Sequence, residues 1–236
     1  MWQEVFRSGR LAMSGSPATD LVQAAAWTDF PVNRILAVMA VGILILNLPD
    51  LLRLLPHLLY SFDRSRGSAE LEHSVSVART RNLTALAFFL PFCLLADRYA
   101  LVRPHFWAAI PAPWSSVATI GLLLVWLLVR ALCFAAFRPR RLSAEPAATL
   151  RHLSFNYFIL LAALTLITAG VCTIFRIPDA VIRTVLYWEI GAVWLFTLLR
   201  SSQFLDAHGL GFATFLYLCG LEIVPAALIV AVVMFI

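Results

Sequence analysis

Six long apolar runs, joined by short arginine-bearing connections, organise this chain after a mixed opening. The first begins near Phe30 and reaches about Leu48, with an apolar extension over Leu51–Tyr60. The second, Leu83–Ala96, is short unless Tyr99–Val102 extends it. Ser115–Phe137, Leu153–Phe175, Ala180–Leu199 and Leu210–Ile236 follow. A helix crossing a bilayer needs about 20 apolar residues, which the last four runs meet and the first two approach. None alternates apolar with polar as a barrel strand would. Backbone groups in lipid must find partners within their own segment, so runs of this kind predict helices. The expectation is an all-α membrane protein, a bundle of about six transmembrane helices over residues 30–236. Residues 1–29 form a separate opening segment. Trp2, Val5 and Phe6 share a helical face there, as in a helix lying along the membrane surface. Ser14-Gly15-Ser16-Pro17 breaks it, and the absence of a continuous apolar core predicts that it is retained. No half-and-half repeat of the inverted-transporter kind is evident.

Composition agrees. Hydrophobic residues make up 61% and charged residues 13%, with a mean hydropathy of +0.87, where soluble domains carry roughly 25% charged residues. The net charge of +5 would suggest nucleic acid on a soluble protein. Here the arginines cluster between apolar runs, so orientation and anionic headgroups explain them. Membrane lipids are the expected partners, with an unidentified small molecule or protein beside them and no nucleic acid. All 18 basic residues are arginine, which excludes lysine Schiff-base and P-loop chemistry. Cys93, Cys133, Cys172 and Cys219 each fall in a different run, without a paired spacing. His57, His152 and His208 come from unrelated segments. No cofactor or metal is expected.

The arginines also set an orientation. Arg64, Arg66, Arg79, Arg81, Arg138, Arg140, Arg141, Arg151 and Arg200 fall in the first, third and fifth connections, against Arg7, Arg10, Arg98, Arg103 and Arg176 on the other side. The positive-inside rule then places those three connections in the cytoplasm and both termini outside. Trp107 and Trp114 flank the second connection, as interfacial aromatics do.

Within the runs, Arg130, Glu189 and Glu222 are the ionisable residues placed deep. Such residues are expensive in lipid and mark a partner, a cavity or a function. Measured from Arg138, Arg200 and Leu210, their depths are about 12, 16 and 18 Å at about 1.5 Å per residue. They are expected to share one layer, either as a ligand-binding or proton-relaying site or as a closed network that fastens the helices. Pro225 removes a helical hydrogen bond to the carbonyl of Leu221, beside Glu222, and Pro91 does the same to Ala87. Asn47, Asp50 and Arg53 recur on one face, where Asp50 can pair with Arg53. No HExxH, GxSxG or P-loop pattern occurs, so an enzyme would depend on Glu, Arg or Tyr157.

The phrase Phe215-Leu216-Tyr217-Leu218-Cys219-Gly220-Leu221-Glu222-Ile223-Val224-Pro225 resembles the closing helix of a bacterial integral membrane family, domain of unknown function four-two-seven-one, typical of Bacteroidota. Arg151–Ile159, with Phe155-Asn156-Tyr157-Phe158, looks like its fourth helix. The matched residues are Tyr217, Glu222 and Pro225. The likeness covers mainly the second half of the chain and implies a multi-pass protein of the bacterial inner membrane, with no established activity. The functional expectation is a small transport or membrane-assembly component with a polar intramembrane site. An embedded lipid or isoprenoid enzyme, or a scaffold subunit of a membrane complex, are the alternatives.

Overall fold

The computed structural model describes residues 27, 29–63, 75–104, 107, 110–136, 144–207 and 219–235. Residues 1–26, Tyr217 and His208 lie outside the described residues, as do the side chains of His57 and His152. The described residues hold six α-helices and no strands: α1 (Pro31–Asp63), α2 (Val75–Arg98), α3 (Ser115–Ala136), α4 (Ala144–Ile174), α5 (Asp179–Ala207) and α6 (Val224–Phe235). A 3₁₀ turn, Ala112–Trp114, leads into α3, and a π-helical turn, Cys219–Ile223, leads into α6.

Four of these helices are long and apolar enough to cross a membrane: Pro31–Pro56, Ser115–Cys133, Ser154–Ile174 and Asp179–Leu205. Their outward faces carry side chains such as Leu46, 79% exposed, and Val38, 73% exposed. Water would not tolerate so continuous an apolar surface, so lipid is its solvent. The chain is a membrane protein.

α2 packs against α1, α3 and α4 and is the hub of the bundle. It is also the less apolar helix, carrying Arg79, Arg81, Asp97 and Arg98. The two facts are connected. A helix surrounded by other helices shows little surface to lipid, so it can bear polar residues that find partners inside the protein. Its buried small residues, Ala85, Ala87, Cys93 and Ala96, let its neighbours approach. Around its C-terminal half, Cys93, Leu95, Tyr99 and Leu101 pack with Leu123 of α3, Ala169 of α4, and Ile182 and Leu186 of α5.

The described connections gather at one end. Tyr99, just past α2, pairs its hydroxyl with that of Thr173 near the end of α4, at 3.3 Å. Tyr187 of α5 donates to the Leu101 carbonyl at 2.9 Å. One end of the bundle therefore holds the starts of α1, α3 and α5 and the ends of α2 and α4. Trp114 there is exposed, as an interfacial aromatic should be, whereas Trp107 is buried. Asn47 donates to the Ile43 carbonyl within α1. The spacing of Asp50 and Arg53 permits a pair, but the described ion pairs do not include one between them.

α4 and α2 both end on a residue in the left-handed region, Arg176 with φ 53° and Ala100 with φ 51°. Each closes with a six-to-one bond, Ile177 N–H to the Cys172 carbonyl at 3.0 Å and Leu101 N–H to the Ala96 carbonyl at 2.8 Å. Glycine is the usual occupant of that position, because a Cβ costs about 1–2 kcal/mol there. Arg176 is exposed, so Arg176→Gly sacrifices no packing. It is expected to stabilise the bundle by about 1 kcal/mol, read as a higher midpoint of unfolding in mixed micelles.

Candidate functional site

Three polar stations lie along the bundle. The first centres on Asp97, at the C-terminal end of α2 and only 2% exposed. Its Oδ2 accepts from the Trp27 indole at 2.6 Å, the Ser116 hydroxyl at 2.7 Å and the Ser115 hydroxyl at 3.1 Å. Its Oδ1 accepts from Thr119 at 3.0 Å. The hydroxyls occupy the first turns of α3, whose N-terminus carries the positive end of the helix dipole. A carboxylate so surrounded is compensated without a cation. The cluster also anchors the approach to α1, since the Trp27 carbonyl accepts from buried Asn33 at 2.9 Å and the Arg98 guanidinium lies 6.0 Å over the Trp27 ring. Nothing in the apolar pattern singled out Asp97, which falls just past the second run. The legible signal was Ser115-Ser116-x-x-Thr119, three hydroxyls on one face where a span begins.

The second station joins α3 to the π-helical turn. Arg130 forms an ion pair with Glu222 through Nη2, and the same nitrogen donates to the Ser154 hydroxyl of α4 at 2.9 Å. The guanidinium also lies 5.8 Å over the Trp126 ring. One turn away, the Trp126 indole donates to the carbonyl of Pro225 at 3.1 Å. Pro225 has no N–H to offer, and the backbone accommodates this by widening into the π turn Cys219–Ile223, which carries Glu222. The pair is largely enclosed, with 23% of the Arg130 side chain and 14% of the Glu222 side chain exposed.

The third station is Glu189 of α5, whose Oε1 accepts from the Thr168 hydroxyl of α4 at 3.0 Å. Glu189 does not join Arg130 and Glu222. Both stations touch α4, at Ser154 and at Thr168, and those residues are fourteen positions apart, about 21 Å along the helix. The single layer expected from the sequence is therefore two layers. Arg200 is the reason: it does not mark the edge of the membrane, because α5 runs on to Ala207. Arg200 instead lies within the helix, over the Phe196 ring at 5.4 Å and bonded to Gln203.

The same contacts revise the depth of Glu222. Ser154 follows Arg151 and His152 by only three and two positions, where the apolar run of α4 begins, so the Arg130–Glu222 pair sits near the boundary of the apolar zone. Glu189 is the carboxyl held far inside it. Tyr157 is buried and packs edge-on to Phe196 at 5.7 Å. Among the described residues, no group of His, Cys, Asp and Glu is arranged to hold a metal ion. Family models, curated proteins and solved structures contain no match to this chain.

Proposed function

We propose that this chain is a small transport or membrane-assembly component, spanning the inner membrane six times, whose working site is the Arg130–Glu222 pair. The observation that supports this is the placement of the pair on a π-helical turn. Single π turns concentrate at functional sites, because the extra residue lets a turn change register at little cost. A guanidinium has five N–H donors in a fixed fork. The described contacts of Arg130 use Nη2 alone. The remaining edge suits an oxygen-rich anion, such as a carboxylate or phosphate, at the boundary of the apolar zone. Glu222 competes with that anion for the same cation, so binding and release are coupled to the α3–α6 seam.

Complementation tests the reading. Glu222→Gln keeps an acceptor oxygen and removes the charge. In cells lacking the gene, it is expected to insert at the wild-type level and fail to restore the phenotype that the wild type restores. Failure to insert, with activity retained per folded molecule, would instead make the pair a fastening of the bundle.

A further inference from the structure

Glu189, which is half-buried, differs from Asp97 and Glu222 in what surrounds it. Asp97 has four donors, and Glu222 has a guanidinium. Glu189 has one hydroxyl, that of Thr168, on Oε1. Its Oε2 is sealed from solvent and has no hydrogen-bond partner among the described residues. Neither described ion pair includes it.

Its position makes this costly. Glu189 is ten positions into α5, about 15 Å from Asp179 along the helix. Thr168 is six positions before the end of α4. Both lie inside membrane-length apolar stretches. Trp188 and Val185, on the same helix, are exposed to lipid. The titratable or charged groups in this half of the packed elements are Cys172 on α4, Arg176 in the turn that follows it, Cys93, Asp97 and Arg98 on α2 with Tyr99 and Arg103 just past it, and Asp179, Arg183 and Tyr187 on α5 itself. α3 presents Ile120 and Leu123 to the shared core. Asp97, Tyr99 and Tyr187 are bonded elsewhere, Arg98 lies against the Trp27 and Tyr99 rings, and no described contact joins any of these groups to Glu189. A bare carboxylate at this depth needs a counter-charge, donors or a proton. The first is absent among the described contacts, and a single hydroxyl supplies the second.

We propose that Glu189 is a proton-binding site inside the membrane, carrying the proton on Oε2 while the Thr168 hydroxyl donates to Oε1. Loading forms one O–H bond at Oε2 and breaks one O–H bond of a hydronium ion, which leaves as water. The loaded acid is neutral and can rest beside lipid. Unloading requires water or a cation to reach Oε2, which demands opening of the α4–α5 seam. Proton exchange is thereby tied to helix movement, as a coupling site requires. This inference does not rest on the Arg130–Glu222 reading, because the two stations lie about 21 Å apart.

Infrared difference spectroscopy of the full chain in lipid vesicles tests it. At neutral pH the wild type is expected to show the carbonyl-stretch band of a protonated carboxylic acid. That band is lost in Glu189→Gln, moves in Thr168→Val because the hydrogen bond to Oε1 is removed, and persists in Glu222→Gln. A wild-type spectrum without the band overturns the proposal, and so does a band that survives in Glu189→Gln or vanishes in Glu222→Gln. Should Glu189→Gln fail to fold, the Thr168→Val spectrum decides: a band that does not move overturns the proposal.

Discussion

Asp97→Ala is expected to destabilise the folded bundle by about 3–5 kcal/mol, enough to consume much of the stability of an ordinary domain. Four donors converge on that carboxylate, and a hydrogen bond to a charged group contributes about 1.5–3 kcal/mol. Removing the acceptor strands the Trp27 indole, which can donate but never accept. The Thr119 hydroxyl can turn back to a carbonyl of its own helix. Ser115 and Ser116 follow a single 3₁₀ turn, Ala112–Trp114, rather than a full α-helical turn, so fewer carbonyls stand ready to receive theirs.

Asp97→Asn separates geometry from charge. Its amide oxygen can occupy the Oδ2 side, facing the indole and the two serines, while its amide nitrogen donates to Thr119. It is expected to fold with a loss of about 1–2 kcal/mol, since neutral hydrogen bonds are weaker than charge-assisted ones. Trp27→Phe removes one of the four bonds and is expected to fall between the two variants. Reversible unfolding in mixed micelles, followed by tryptophan fluorescence for the Asp97 variants and by circular dichroism for Trp27→Phe, gives the order. Equal stability of Asp97→Ala and wild type would contradict the role assigned to the cluster.

Arg130→Ala and Glu222→Ala are each expected to destabilise by about 2–4 kcal/mol, and unequally. Arg130→Ala leaves Glu222 without its described donor, among apolar neighbours. Glu222→Ala leaves Arg130 with Ser154 and the Trp126 ring, and its long stem can carry the guanidinium toward the nearby boundary. The arginine variant should therefore be the less stable. In the double variant no charge is stranded, so the losses should not add. A double-mutant cycle is expected to return a coupling of about 1–3 kcal/mol. Strict additivity would show that the two side chains do not act as a pair.

These variants bear on different parts of what could be read from the chain. The long apolar runs translate directly into α1, α3, α4 and α5, because a bilayer imposes length and internal hydrogen bonding on any segment crossing it. Arg130, Glu189 and Glu222 were visible for the same reason, as charges where charges are expensive. Their grouping was not. A depth reckoned from loop arginines assumes that helices end where charges appear, and α5 continues seven positions beyond Arg200. The arithmetic therefore merged Glu189 with a pair that lies about four helical turns away by the rise of about 5.4 Å per turn.

Asp97 marks the opposite failure. It falls at the end of a run rather than inside one, where a charged residue raises no alarm. Its burial follows from α2 standing between α1, α3 and α4, and the order of helices in space is absent from one-dimensional hydropathy. The shortness of the second apolar run reflects the central place of α2, which carries buried Arg81 and Asp97 where other helices cover it.

Lipid as the solvent, and helices long enough to meet it, are written in the residues themselves, with a few charges set against that background. Tertiary structure decided which charges have partners. Glu222 finds a guanidinium on α3, Asp97 finds four donors from two segments, and Glu189 finds one hydroxyl on α4. The physical reason is that hydropathy is a property of single residues and their near neighbours, whereas compensation of a buried charge depends on atoms within about 3 Å, supplied by helices remote in the chain.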